Sequence, residues 1–243
     1  MSHLVIAPLL LPLLAGTALI LLRGSDTVVR RGLSIAASLA LVGVAIALFL
    51  QVANGDVMVY RLGDWPAPFG IVLVADRLAA VMLLITTVLA ACVVLYAVRG
   101  GDHAGRYFHV LFQMLLFGLN GAFLTGDLFN LFVFFEVLLI ASYGLLLHGG
   151  GRERTRAGLH YVVLNLVGST LFLFAVGTLY GVLGTLNMAD LAQRMSSVPP
   201  ENLGLVRAAG MLLFVVFALK AALAPLYLWL PGAYGHTSAP VAA

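Results

Sequence analysis

The sequence has few charged residues, and this scarcity decides which class of protein it specifies. Only 9% of its 243 residues are Asp, Glu, Lys or Arg, whereas a soluble globular domain carries about 25%. Hydrophobic residues make up 62% of the chain, and the mean hydropathy is +1.08. These values exclude a soluble globular domain. They predict an all-α, polytopic helical membrane protein with a single transmembrane domain over residues 1–243.

Cysteine and catalytic motifs are also scarce. The one cysteine, Cys92, lies inside an apolar run, which excludes an internal disulfide framework and a cysteine-based metal site. The sequence contains no phosphate-binding loop, dinucleotide fingerprint, HExxH motif or nucleophile elbow. We therefore expect a protein that is not an enzyme and that holds no cofactor and no metal. The net charge of +3 does not indicate nucleic acid as a partner, because the basic residues lie in short loops between apolar runs.

Seven apolar runs are candidates for membrane-spanning helices, since about 20 apolar residues cross the roughly 30 Å of hydrocarbon in a bilayer. They occupy residues 4–22, 33–52, 78–98, 108–125, 128–147, 159–183 and 205–230. Only Gly126 and Asp127 separate the fourth run from the fifth, which predicts an antiparallel hairpin. The seventh run contains Pro225, whose ring clashes with the carbonyl group four residues earlier. We expect this seventh helix to be discontinuous.

Weaker patterns occur in the segments between the runs and in the sixth run. Residues 54–75 are polar and contain proline and glycine, and we expect them to form a short hairpin. Residues 187–197 place apolar side chains at i, i+3, i+4 and i+7, the spacing of an amphipathic helix that lies in the membrane interface. In the sixth run, we expect Gly177, Gly181 and Gly184 to permit close packing of helices.

The arginines are distributed unevenly between the two sides of the predicted helices. One side carries Arg23, Arg30, Arg31, Arg99, Arg106, Arg152, Arg154 and Arg156, and the other carries Arg61, Arg77, Arg194 and Arg207. Cytoplasmic loops of membrane proteins carry an excess of basic residues. The count of eight against four therefore predicts an amino terminus outside the cell and a cytoplasmic loop at residues 149–156.

Two ionisable residues lie deep in the apolar runs. Glu136 is close to the centre of the fifth run, and Lys220 lies in the seventh run, five residues before Pro225. A charged residue at the centre of a bilayer costs about 2.5–3.5 kcal/mol on insertion scales, so such residues are rare and are usually functional. Opposite charges on two separate helices predict part of an ion or proton path. The alternative is a structural ion pair or a hydrogen bond that packs the helices.

Lys220 is the only lysine in the chain, and the twelve other Lys or Arg positions are all arginine. Arginine stays protonated in proteins, whereas a buried lysine can lose its proton. The exception predicts a site at which a proton is released. We expect Pro225 to free backbone carbonyl groups beside the ammonium group, because carbonyl groups at a helix carboxyl end favour a cation. The alternatives are a structural counter-ion for Lys220 and a plain kink for Pro225.

Four further polar residues are candidates for a proton path. Asn165 and Ser169 share one face of the sixth helix, where we expect them to hold water between the fifth and seventh helices. His148 and His160 flank the loop at residues 149–156 and are candidates for a proton entrance, since histidine titrates at about pH 6.5. The alternatives are helix packing for Asn165 and Ser169 and an ordinary interfacial position for the two histidines.

Two stretches of the sequence resemble a known family. TGDLFNLFVFFEVLLIASYGLL at residues 125–146 and ALKAALAPLYLWLPGAYGHTSAPVAA at residues 218–243 are similar to the D subunit of the Mrp-type multisubunit monovalent cation/proton antiporters. They resemble, more distantly, the antiporter-like proton-pumping subunits of respiratory complex I. The resemblance implies that Glu136 and Lys220 are the glutamate of the fifth helix and the lysine of the broken seventh helix of a proton-translocating half-channel. It places Pro225 at the break.

The resemblance also implies that the chain is the amino-terminal half of a longer subunit. Subunits of this family are about twice as long and contain two inverted helix repeats. The present chain then contains helices 1–7 and the start of helix 8.

The leading interpretation is a proton-conducting membrane subunit of a multisubunit Na⁺ or K⁺/proton antiporter in a bacterial inner membrane. Its implied partners are other membrane subunits, protons, monovalent cations and the lipid bilayer. The alternative is a proton-pumping membrane subunit of a complex I-like NADH:quinone oxidoreductase or of a membrane-bound hydrogenase. A third interpretation is a scaffold whose charges only pair helices.

Overall fold

A computed structural model describes residues 3–243, and helices dominate this range. The helices are α1 (Ala7–Leu21), α2 (Thr27–Val52), α3 (Arg77–Ala97), α4 (Phe108–Leu124), α5 (Leu128–Leu146), α6 (Arg152–Leu183), α7 (Met188–Met195), α8 (Leu203–Lys220), α9 (Trp229–Gly235) and α10 (Ala239–Ala242). The strands are β1 (Met58–Arg61) and β2 (Val72–Ala75). Single turns of 3-10 helix occur at His3–Val5, Leu62–Asp64, Asp102–Ala104 and Leu226–Leu228.

Every predicted apolar run forms a helix, which confirms the all-α class. Five helices, α2, α3, α5, α6 and α8, are long and apolar enough to span a membrane, while α1 and α4 are shorter apolar helices. α2 and α6 begin at Thr27 and Arg152, earlier than predicted, because each starts with polar turns that lie outside the apolar run. With 32 residues, α6 is about 48 Å long, so its polar first turns extend beyond the hydrocarbon.

The seventh run is discontinuous, as predicted, but its first helix is shorter than expected. α8 ends at Lys220 rather than at residue 230, and helical structure resumes in α9. Pro225 has no amide hydrogen to donate to Ala221, and its ring clashes with that carbonyl group in a continuous helix. Ala222 takes a left-handed backbone conformation with a φ of 52°. The result is an irregular segment between α8 and α9.

α4 and α5 pack closely as the predicted antiparallel hairpin. The Asp127 carboxylate accepts a hydrogen bond from the Asn130 amide at 2.8 Å, which caps the first turn of α5. A Cβ atom added to Gly118 of α4 would lie 2.7 Å from the backbone nitrogen of Leu138 in α5, closer than real carbon atoms approach. Glycine at position 118 therefore allows the two backbones to lie this close together.

The loops at one end of the bundle form a small structured cap. β1 and β2 pair in antiparallel fashion, which confirms the hairpin predicted within residues 54–75. α7 begins after the cap residue Asn187, whose side chain accepts hydrogen bonds from the backbone amides that follow, and confirms the predicted short helix. Isolated β-bridges join Leu73 to Thr125 and Asp127 to Asn187. The cap is therefore tied directly to the α4–α5 hairpin.

The packing prediction for the glycines of α6 is wrong at two positions. Cβ atoms added at Gly177 and Gly181 would meet nothing within 4 Å among residues 3–243. Gly184 instead ends α6 in a left-handed conformation with a φ of 68°, which glycine adopts without steric cost. Gly168 does approach a neighbouring helix, since a Cβ atom there would lie 3.1 Å from a methyl group of Leu219 in α8.

A partly buried ion pair joins α2 to the turn at Asp102–Ala104, which precedes α4, at the end of the bundle opposite the cap. Arg31 donates hydrogen bonds to both carboxylate oxygens of Asp102 at 2.6 Å, and His109 Nε2 lies 3.1 Å from Asp102 Oδ2. Burial alone raises the pKa of the Asp102 carboxyl, but the hydrogen bonds from Arg31 and His109 outweigh burial and lower this pKa to about 2. Sequence patterns did not reveal this cluster, because Arg31 and Asp102 are 71 positions apart.

The ion pair of Asp102 predicts a pH dependence of stability. The pKa of Asp102 is about 2 in the folded protein and 3.8 by ordinary values, so folding is favoured while the carboxylate is charged. This contribution is complete above about pH 4 and is lost as the pH falls through 3.8 towards 2. We expect Asp102→Asn to unfold at a lower temperature than the wild type at pH 7. The difference should shrink over that window in melts of the detergent-purified protein.

The matched control is Asp56→Asn, because Asp56 is an exposed carboxylate in the loop before β1. This control should melt like the wild type across the whole pH range. An Asp102→Asn penalty that is undiminished at pH 2 would show that the ion pair is not its origin.

Candidate functional site

Glu136 lies near the middle of α5, and a serine of the neighbouring helix α6 holds its carboxylate. Ser169 Oγ donates a hydrogen bond to Glu136 Oε1. Ser169 is buried, with 4% of its surface exposed, while Glu136 is half-buried. The structure therefore brings together two of the predicted site residues through one hydrogen bond to a charged acceptor.

Lys220 is the last residue of α8, and its ammonium nitrogen is shielded from solvent without a hydrogen-bond partner among the described residues. Nζ lies 5.2 Å from the ring centroid of Phe135, within the range of a cation–π contact. Phe135 directly precedes Glu136, so adjacent residues of α5 approach the lysine and Ser169. Within residues 3–243, Glu136 and Lys220 form no ion pair within 4.0 Å. Glu136 is therefore the neighbour in sequence of the residue that contacts Lys220, but the charged groups of Glu136 and Lys220 do not pair directly.

Aromatic rings cover the space beside the lysine. The ring of Phe135 lies 6.1 Å from that of Phe172 and 6.4 Å from that of Phe217, centroid to centroid. Phe172 is fully buried. These rings provide no hydrogen-bonding groups, so the surroundings of Lys220 have a low dielectric constant, in which charge–charge interactions are stronger than in water.

A side chain that sequence reasoning missed closes the helix break. Trp229 Nε1 of α9 donates a hydrogen bond to the Leu219 carbonyl oxygen at 3.0 Å. This carbonyl group belongs to the last turn of α8 and also accepts a hydrogen bond from the Ala222 amide at 3.1 Å. Trp229 is buried, and its ring lies 5.3 Å from that of Tyr161. Pro225 lies in the irregular segment at the break. The available signal was a tryptophan four residues beyond this proline, since a buried indole N–H needs an acceptor.

Asn165 and Ser169 lie on one buried face of α6, and Tyr161 extends this face by one turn. Asn165 Nδ2 donates to the Tyr161 carbonyl oxygen at 2.9 Å rather than to Glu136. Tyr161 Oη lies 3.2 Å from Ser142 Oγ of α5. Polar groups therefore continue from the carboxylate along the contact between α5 and α6. Sequence reasoning missed Ser142 and Tyr161, because their hydroxyl groups meet only when the two helices pack.

A cavity of about 280 Å³ lies at the end of this polar face. Ser142, Tyr161, Tyr234 and Thr237 provide the hydroxyl groups of its lining, and most of the remaining lining is apolar. Thr237 Oγ1 is buried and has no hydrogen-bond partner among the described residues. The cavity is roomy and polar enough to hold water beside Tyr161.

The two predicted entrance histidines lie in different environments. His148 is buried, and its ring centroid lies 5.3 Å from that of Phe108. Burial lowers the pKa of His148, which favours the neutral ring. His160 is exposed on α6 and lines a separate open cleft of about 650 Å³ together with His236. The structure does not bring His148 and His160 together, and a shared entrance role for them stays a prediction.

The chemistry of the site follows from its residue types. Within residues 3–243, no group of three or more His, Cys, Asp or Glu side chains is placed to hold a metal ion. The groups that do converge are one carboxylate, one amine and several hydroxyl groups. Such a set is suited to accepting, holding and releasing protons.

Comparison with known proteins identifies relatives along the whole chain. The profile of the family described as NADH:quinone oxidoreductase/Mrp antiporter, TM, matches residues 125–243. The D subunit of a probable K⁺/H⁺ antiporter from Rhizobium meliloti (strain 1021) is 49% identical over 247 residues, which cover 100% of this chain and 46% of that protein. The chain spans about half the length of the curated relatives it matches.

Solved structures share the fold. A chain of the membrane-bound sulfane sulfur reductase, an archaeal respiratory membrane complex, superimposes with a TM-score of 0.93 at 30% identity, covering 99% of this chain and 49% of that chain. A chain of the Mrp complex from Dietzia sp. DQ12-45-1b superimposes with a TM-score of 0.90 at 32% identity, covering 100% of this chain and 45% of that chain. The chain is similar over its whole length to curated antiporter D subunits, and its residues 125–243 belong to the family of membrane subunits shared by Mrp antiporters and NADH:quinone oxidoreductases.

Proposed function

We propose that this chain is a proton-conducting membrane subunit of a multisubunit monovalent cation/proton antiporter, in which Glu136 and Lys220 form a proton relay. The observation that carries the proposal is a serine-bonded carboxylate beside a buried ammonium group that has no hydrogen-bond partner among the described residues. Similarity to antiporter D subunits and to a chain of an Mrp complex supports cation/proton exchange as the task of the assembled protein.

Glu136 is suited to take up and release a proton. The Ser169 hydroxyl stabilises the charged carboxylate by donating a hydrogen bond to it. A hydroxyl group can also rotate and accept a hydrogen bond from the protonated acid. The contact with Ser169 therefore accommodates both protonation states of Glu136, as a relay requires.

Lys220 is suited to give up its proton. An ammonium group carries three donors, and none of them finds an acceptor within residues 3–243. The face of Phe135 offers only a weaker attraction. In the proposed cycle, a proton that reaches Glu136 weakens the attraction of this residue for the ammonium group. Lys220 then releases its own proton deeper into the protein. When Glu136 loses its proton, its restored negative charge favours protonation of Lys220, and the pair returns to its starting state.

Protons reach Glu136, in this proposal, along the contact between α5 and α6. Water in the cavity beside Thr237 exchanges a proton with the hydroxyl pair of Ser142 and Tyr161. Further water along the face of Asn165 and Ser169 completes the route to the carboxylate. The break at Pro225 lets α9 fold back so that Tyr234 borders the same cavity.

A second candidate is a proton-pumping membrane subunit of a redox-driven complex. The observation that favours it is the TM-score of 0.93 to a chain of an archaeal respiratory membrane complex. Proteoliposomes that contain the purified complex distinguish the two candidates. Proton movement driven by a Na⁺ or K⁺ gradient without an electron donor identifies the antiporter, whereas a requirement for an electron donor identifies the redox pump.

The proposed setting is a bacterial inner membrane, with the amino terminus outside and other membrane subunits as partners. Similarity to chains of two multisubunit membrane complexes supports such partners. The uneven distribution of arginines supports the orientation.

Cysteine labelling tests this orientation. In a background that lacks the native thiol of Cys92, Arg152→Cys should react with an impermeant thiol reagent only after the cells are permeabilised. Arg152 is preferred to the glycines of the same loop, because Gly150, for example, has a φ of 66° that disfavours a side chain. Ser197→Cys, on the other side of the bundle after α7, should react in intact cells. The reverse pattern of labelling would overturn the proposed orientation.

Glu136→Gln tests the relay. Glutamine keeps the size of the side chain and its ability to accept from Ser169, but it cannot titrate. We expect proton-coupled cation efflux in everted vesicles to fall to background while the complex assembles normally. Glu153→Gln, which neutralises an exposed carboxylate in the first turn of α6, is the matched control and should retain full exchange.

Two other results would contradict the role of Glu136. Near-normal exchange by Glu136→Gln would remove this residue from the path. A lower amount of complex with unchanged transport per assembled complex would indicate the scaffold function.

Lys220→Arg separates a relay from a fixed charge. Arginine preserves the positive charge but does not release a proton at accessible pH. We therefore expect Lys220→Arg to be assembled and as inactive as Lys220→Ala in the same vesicle assay. If Lys220→Arg kept most of the exchange activity while Lys220→Ala lost it, the lysine would act as a fixed positive charge and not as a proton relay.

A further inference from the structure

Three arginines meet at the end of the bundle where α1, α2 and α4 come together. Arg23 follows α1, Arg30 lies in the first turn of α2, and Arg106 precedes α4. Arg30 Nη1 donates to the Arg106 carbonyl oxygen, and Arg106 Nη2 donates to the Arg23 carbonyl oxygen, each at 3.4 Å. Backbone carbonyl groups therefore hold the side chains of Arg30 and Arg106, and Arg23 lines the same small crevice as these two arginines.

The three arginines have no acidic partner among residues 3–243, since none forms an ion pair within 4.0 Å. Arg31 shows the contrast, because Asp102 accepts two hydrogen bonds from its guanidinium group. Asp102 is not available to the other arginines, since its side chain is only 3% exposed and both of its oxygens are bound. Asp26, which precedes α2, is exposed and forms no ion pair within the described range. Arg30 Nη2 donates to the Thr27 hydroxyl at 3.2 Å, while its Nε is buried and has no hydrogen-bond partner among residues 3–243.

An open cleft of about 300 Å³ lies beside Arg30 and Arg106. Thr27 and His103 add further hydrogen-bonding groups to its lining, and the charge of Asp102, which also lines it, is already compensated. A guanidinium group donates two parallel hydrogen bonds to a phosphate group, a geometry that an ammonium group does not offer. The cleft therefore supplies both the charge and the donors that a phosphate group requires.

The surface next to this cleft is apolar and exposed. Leu21 at the end of α1 is 80% exposed, and Val28 at the start of α2 is 77% exposed. In a membrane-spanning chain, such side chains face the acyl chains of lipids. Basic pockets at the ends of membrane helices are suited to anionic lipid headgroups. A free phosphate ion makes no favourable contact with the apolar side chains beside the cleft. A phospholipid therefore fits the whole surface better.

We propose that Arg30 and Arg106, with the positive charge of Arg23 beside them, bind the phosphate group of an anionic phospholipid whose acyl chains lie along α1 and α2. The site lies at the end of the bundle, and it shares no residue with the contacts of Glu136 and Lys220. It therefore does not depend on the proposed proton relay.

The test uses the complete subunit, purified with its membrane partners and stripped of lipid. Binding of phosphatidylglycerol is measured by native mass spectrometry and by the shift of the unfolding temperature. Phosphatidylcholine with the same acyl chains and inorganic phosphate are the comparison probes. We expect phosphatidylglycerol to bind about tenfold more tightly than phosphatidylcholine, because the charge of its phosphate group is not compensated within the headgroup and hydrogen bonds to a charged group are strong.

Arg30→Gln combined with Arg106→Gln should reduce phosphatidylglycerol binding by about tenfold or more, since two charged donors are lost. The matched control combines Arg99→Gln with Arg152→Gln, which removes two exposed arginines at the same end of the bundle but outside the cleft. This control should bind like the wild type. If the first double variant does not fold, the single changes Arg23→Gln and Arg106→Gln, at two exposed residues, are expected to weaken binding each.

Three results would overturn the proposal. Equal loss in the two double variants would show attraction to net charge only. Equal binding of the two lipids would show that the charged headgroup is not recognised. Binding of inorganic phosphate with the same dependence on Arg30 and Arg106, without a preference for phosphatidylglycerol, would identify a site for free phosphate instead.

Discussion

A carbonyl group freed by a helix break has no water to bind in the interior of a bilayer, where each unsatisfied backbone group costs several kcal/mol. At the end of α8, backbone amides of the irregular segment bind the carbonyl groups of Phe217 and Ala218, and the Leu219 carbonyl oxygen accepts from both the Ala222 amide at 3.1 Å and the indole N–H of Trp229 at 3.0 Å. The indole bond joins α9 to the last turn of α8, one residue before Lys220. It also presses the indole ring against Tyr161, which connects the break to the polar face of α6.

The basic residues divide into two physical environments. Several arginines lie near the ends of helices, where Arg30 and Arg106 donate to backbone carbonyl groups and Arg31 and Arg194 donate to carboxylates. The lysine lies inside the bundle and touches an aromatic ring instead of an acceptor. These arginines have oxygen acceptors, whereas the ammonium group of Lys220 has none among residues 3–243. This division was visible in the sequence as one lysine among thirteen basic residues.

The sequence predicted those features that depend on neighbours in the chain. Apolar runs indicated the helices, a two-residue link indicated the α4–α5 hairpin, and Pro225 indicated the break. The early starts of α2 and α6 were missed, because their first turns are polar and only the apolar run was counted. The partners of Trp229 and Asp102 were also missed, because each lies on a different helix or loop and no local pattern encodes it. The glycines of α6 show the opposite error, since a small residue permits packing without requiring it.

The short link between α4 and α5 has a mechanical consequence. A connection of three residues and the backbone contact at Gly118 hold α5 closely against α4. The hairpin of α4 and α5 therefore positions the carboxylate of Glu136. The ammonium group of Lys220 is carried by the last residue of an interrupted helix, next to an irregular segment. One charge therefore lies within a paired helical hairpin, and the other lies at a helix end.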